Sequence, residues 1–140
     1  MLPYTDEILG LSMQIPRLGS LPPPSVAVEV VSPVCGSRLT LFSRVEGGRI
    51  ADFAWGIEAC ALGQASAALV GARAVGEGES FFNALAEVLE TYLKSDSGLD
   101  PAWSWLAPLA AARSVPQRHG SVLLPVRAFQ RALSSSAGSK

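Results

Sequence analysis

The chain has 140 residues, 49% of them hydrophobic and 16% charged, with a formal net charge of -1. A chain of this length buries roughly two-thirds of the surface its unfolded form exposes, so one real core is expected. The even charge balance excludes a disordered polyelectrolyte, and 11 Lys and Arg spread without a cluster exclude a nucleic-acid-binding field. No stretch approaches the roughly 20 apolar residues that span a bilayer, so no membrane partner is expected. Asp6 and Glu7 near the start, without a basic head or a continuous apolar run, do not read as a signal peptide and point to the cytoplasm. Cys35 and Cys60 are the only cysteines, and without an export signal they read as reduced thiols rather than a disulfide.

In chain order, residues 3–13 predict a short amphipathic helix. Thr5 is its N-cap, the acids stand in its first turn, and Ile8, Leu9 and Met13 follow at helical spacing. Pro16, Gly19 and the Pro22-Pro23-Pro24 run end it and form an extended connector. Residues 26–32 and 38–45 read as strands, and the Gly47-Gly48 pair as a hairpin turn into a third strand, 50–57, with Phe53 and Trp55 on one side. From Cys60 to about Val75 the spacing of Leu62, Ala65, Leu69 and Ala72 predicts a helix, and 80–93 predicts another. Pro101 suits the first turn of a helix carrying Trp103, Leu106 and Leu109, which ends at Val115-Pro116. The last helix lies within 120–133, with Pro125 delaying its start to around Leu124. Residues 134–140 predict a disordered tail after a single domain over 1–133. The order is that of an α+β domain, a three-stranded antiparallel sheet with helices packed on one face.

This layout puts Cys35, in the turn between the first two strands, and Cys60, ahead of a helix, at one end of the sheet. A helix N-terminus favours thiolate over thiol, and thiolate is the form that binds metal. Gly36 lets the backbone turn sharply beside Cys35, and Arg38 adds positive charge. Each cysteine also fits a small buried apolar role, and His119 fits a surface or capping role. No acid or amide adjoins His119 and no oxyanion motif stands out, so a hydrolase, and an enzyme generally, is not expected.

The segments Ser32-Pro33-Val34-Cys35-Gly36-Ser37-Arg38, Val45-Glu46-Gly47-Gly48-Arg49-Ile50 and Ala59-Cys60-Ala61-Leu62-Gly63-Gln64-Ala65-Ser66 occur in that order. With Ile15-Pro16-Arg17-Leu18-Gly19-Ser20-Leu21 before them and residues 118–133 after, the chain resembles the U-type iron–sulfur cluster assembly scaffolds, the NifU/IscU/SufU-like family. The resemblance implies a SufE/NifU-like fold, with Cys35 and Cys60 holding a transient iron–sulfur cluster or a zinc ion and His119 as a third ligand. It also implies a cysteine desulfurase or other cluster-assembly proteins as partners.

Two departures bear on the chemistry. Ser37 replaces the aspartate of the family's Cys-Gly-Asp motif, and either Gly120 or Ser121 stands where the third cysteine belongs. A [2Fe–2S] cluster takes four protein ligands and tetrahedral zinc three or four, so one chain is under-equipped. Three completions stay open: His119 with a serine or water, a homodimer in which each copy lends Cys35 and Cys60, or a site that no longer binds metal. The corresponding alternatives to a cargo-binding scaffold are a metal-free protein that docks on assembly partners and a sulfur acceptor using Cys60.

Overall fold

The computed structural model describes residues 5–34 and 36–138, with side chains described as far as Ser134. Strands β1 (Val26–Ser32), β2 (Ser37–Glu46) and β3 (Arg49–Glu58) form an antiparallel sheet in the order β1-β2-β3. Their register pairs Val30 with Leu39 and Leu41 with Trp55. These residues alternate with outward Glu29, Arg38 and Thr40, and side chains on alternate positions share a face. The inward set is therefore buried beneath the helices. The expected α+β architecture, with helices on one face of a three-stranded antiparallel sheet, is the one observed.

Helix α1 (Asp6–Ser12) starts where Thr5 Oγ1 accepts a hydrogen bond from the Ile8 N–H. Ile8 is buried, whereas Leu9 is half exposed and Met13 is 86% exposed, so only part of the expected apolar stripe faces inward. After Pro16 the connector lies along the free edge of β3. Trp55 N–H donates to Arg17 O at 3.0 Å, Gly19 N–H to Trp55 O at 2.9 Å, and Trp55 Nε1–H to Pro16 O at 2.9 Å. The connector thereby covers a strand edge that would otherwise invite pairing with another chain.

Helices α2 (Ala61–Gly71) and α3 (Glu79–Lys94) are followed by a 3₁₀ helix, Pro101–Ala112, and a 3₁₀ turn, Pro116–Arg118. Helix α2 ends before the expected Val75. The segment carrying Trp103, Leu106 and Leu109 is helical as expected but wound more tightly, and Pro108 inside it has no N–H for an α-helical bond.

Helix α4 (His119–Gly138) corrects the expected start near Leu124, because Pro125 lies inside it. Proline cannot return a hydrogen bond to Ser121 O and crowds that carbonyl. One position on, Val122 O accepts from the buried Ser66 hydroxyl at 2.6 Å, which ties α2 to the same turn. The backbone stays helical through Gly138 across a segment expected as tail, while residues 139–140 lie outside the described residues. Phe129 of α4 anchors the core, with ring centroids 5.1 Å from Phe53, 5.4 Å from Trp55 and 4.8 Å from Phe82.

Candidate metal and cluster site

Three chain segments converge at one end of the sheet. Cys60 is the N-cap of α2, Ser37 opens β2, and Ser121 lies in the first turn of α4. The approach of α4 depends on small residues. A Cβ on Gly120 would lie 2.3 Å from Ser32 Oγ, and one on Gly63 would lie 2.3 Å from Ser121 Oγ and 2.8 Å from Ala59 Cβ. Glycine at both positions lets the helix start settle against the ends of β1 and α2.

The side chains form a short polar chain. Cys60 Sγ donates to Ser121 Oγ at 3.7 Å, and Ser121 Oγ shares a hydrogen bond with Ser37 Oγ at 2.9 Å. Both hydroxyls are buried, while the thiol is half-buried. Burial alone pushes the Cys60 thiol up. The Gly63 N–H, the Ser121 hydroxyl, the Arg118 guanidinium and the Leu62 N–H together outweigh it, and the thiol sits below its ordinary value. The first-turn N–H groups of a helix have no intrahelical acceptor and favour an anion here.

The expected site residues separate as follows. Cys35 lies outside the described residues. Gly36 has φ 69°, the left-handed conformation that a sharp turn needs. Arg38 points to the outer face and pairs with Glu29 at 3.8 Å, so the cation beside Cys60 is Arg118 instead. Sequence spacing carried a signal for it: Arg118 stands three residues before Ser121, close to one helical turn. Of the two candidates for the third-cysteine position, Ser121 presents its side chain to Cys60, and Gly120 packs on Ser32.

His119 Nε2 is 2.8 Å from Ala112 O, a bond that makes this nitrogen the donor and fixes the ring on the end of the 3₁₀ helix. Among the described residues no three His, Cys, Asp or Glu side chains gather closely enough to hold a metal ion. Cys35 is not among them, so this leaves the Cys35–Cys60 pair to be judged on its donors. Those at hand around Cys60 are one thiolate-prone sulfur and two hydroxyls, a set that admits a soft metal or cluster through sulfur and does not complete its shell.

The fold matches that of the N-terminal part of a nitrogen-fixing NifU-like protein from Brucella abortus, with a TM-score of 0.89 and 26% identity over 98% of this chain and 96% of that one. A putative iron–sulfur cluster assembly scaffold protein for the SUF system from Fervidobacterium islandicum AW-1 is similar in fold, with a TM-score of 0.80 and 20% identity over 94% and 96% of the two chains. No protein-family model and no curated protein matches the chain. The chain thus has the fold of the NifU-like proteins, and its ordered Cys35, Gly47-Gly48 and Cys60 motifs resemble those of the U-type iron–sulfur cluster assembly scaffolds, without the third cysteine or the Cys-Gly-Asp aspartate.

Proposed function

We propose that the protein is a scaffold that carries a labile iron–sulfur cluster as cargo on Cys60 and Cys35, with two copies of the chain supplying four thiolates. The observation that carries this reading is the Cys60 environment, where a helix N-terminus, Arg118 and Ser121 favour the thiolate at the end of the sheet that also bears the Cys35 turn. The second copy is called for by ligand count, since a cluster takes four ligands and one chain has two thiols; His119, whose Nε2–H donates to Ala112 O and leaves Nδ1 as the acceptor nitrogen, is the alternative source. Zinc is the alternative cargo for the same thiolates. Sulfur and iron come from cluster-assembly proteins, a cysteine desulfurase first among them, in the cytoplasm, where thiols stay reduced.

Anaerobic reconstitution with ferrous iron and sulfide, followed by visible absorption and metal analysis, tests this. The wild type is expected to gain charge-transfer absorption and near-stoichiometric iron, and Cys60→Ala to lose both. Wild-type protein that takes up neither iron nor zinc overturns the proposal.

The buried Ser37–Ser121 hydroxyl pair supports a second reading, a metal-free protein of this fold that docks on assembly partners. The two hydroxyls satisfy each other without a metal. On that reading Cys35→Ser leaves stability and partner binding unchanged.

A further inference from the structure

A second concave site lies between the C-terminal half of α3 and the start of the 3₁₀ helix, and shares no residue with the surroundings of Cys60. The cleft has a volume of about 400 Å³ and is lined by Glu87, Thr91 and Tyr92 of α3, Gly98 and Asp100 of the following loop, and Trp103. No Lys or Arg lines it. Its two carboxylates are unspent: neither Glu87 nor Asp100 belongs to an ion pair among the described residues. Asp100 also occupies an N-cap position without capping through its side chain, while its backbone O accepts from the Trp103 N–H at 2.8 Å.

The aromatic wall is held from behind. The Trp103 ring stands 5.6 Å from Phe81 and 6.1 Å from Trp105, and Arg73 stacks on Trp105 at 4.3 Å. The neighbouring wall already carries a guanidinium, since Arg113 lies 3.9 Å over the Tyr92 ring and donates to Tyr92 O at 2.7 Å. That arginine is used within the fold. The cleft itself offers an indole and two carboxylates with no internal cation.

We propose that this cleft binds an arginine side chain presented by a partner protein, its guanidinium stacked on Trp103 and paired with Glu87 and Asp100. A planar guanidinium suits this combination better than an ammonium, because it stacks on an aromatic face while its N–H groups fork to carboxylates. The inference goes beyond the scaffold reading and does not rest on it, because no cleft residue bears on cargo.

The test is an NMR titration of the full chain with Nα-acetyl-arginine methylamide, following the Trp103 Nε1–H and Gly98 N–H resonances. The neutral citrulline and the cationic lysine analogues serve as comparisons. Saturable shifts at these two groups are expected with the arginine probe, with affinity roughly five-fold higher than for lysine. Citrulline should bind weakly, and Glu87→Gln with Asp100→Asn should abolish the arginine response. No saturable shift, equal shifts with citrulline, equal affinity for lysine, or an unaffected double variant would each overturn the proposal. The comparison of probes on the wild type decides the matter even where the double variant fails to fold.

Discussion

Cys60 shows how a sequence position becomes a chemical environment. Its thiol is held down by the Gly63 and Leu62 N–H groups, Ser121 and Arg118 against the upward push of burial. In a Cys35→Ser protein, where Cys60 is the sole thiol, the pH profile of alkylation by iodoacetamide should have its midpoint below that of a free thiol. Ser121→Ala should move the midpoint up, and an unmoved midpoint would remove Ser121 from the account. The linkage has a definite sign, because the folded state favours the thiolate. Relative to Cys60→Ala in the same background, stability should be greatest above the ordinary thiol value and fall as pH drops through the lowered one, as denaturation at several pH values would read.

Gly63 belongs to the same scale. Gly63→Ala should cost about 1–3 kcal/mol in chemical denaturation, since the new Cβ meets Ser121 Oγ and Ala59 Cβ at once. It should also raise the Cys60 midpoint by displacing the Ser121 hydroxyl. Cys60 was legible as a helix N-cap from the change of periodicity behind it. Arg118 is hidden in the sequence by Arg38, which stands closer to a cysteine along the chain. Strand alternation turns Arg38 outward once Ser37 points in.

At the scale of elements, α2 and α4 are joined by a buried polar contact. The Ser66 hydroxyl reaches Val122 O within the turn that Pro125 perturbs. Ser66→Ala should destabilise the protein by about 0.5–1.5 kcal/mol, measured by urea denaturation, because it removes one buried hydrogen bond. A neutral Ser66→Ala would show that the carbonyl finds other satisfaction. The sequence revealed that Pro125 is awkward but not that a helix would run through it, because α4 is held across that position by packing against α2, α3 and the sheet. The strands were legible to within a residue or so, since β-branched runs, the Gly47-Gly48 turn and face alternation agree there. The extended connector was also visible, but its pairing with the β3 edge was not, because backbone bonding across chain segments leaves no periodicity to read.

For the whole molecule, a core centred on Phe129, Phe53, Trp55 and Phe82 fixes α4 against the sheet and thereby brings Ser121 to Cys60. Phe129→Ala should cost about 3–5 kcal/mol in thermal or chemical unfolding. In protein that still folds, the same change should loosen the Ser121–Cys60 contact without altering either residue. The architecture was readable from the sequence because one real core, a meander and amphipathic helices leave few packings open. The completeness of the site was not, because ligand count depends on what faces Cys60 in space: Ser121 does, and among the described residues no group of three His, Cys, Asp or Glu forms there.

The central proposal is that two copies of this chain hold one cluster through four thiolates. Native mass spectrometry of anaerobically reconstituted protein counts chains, iron and sulfide in a single species. The account predicts a two-chain species carrying one cluster that disappears with Cys60→Ala. A cluster held by a single chain, or one retained by Cys60→Ala, would contradict it.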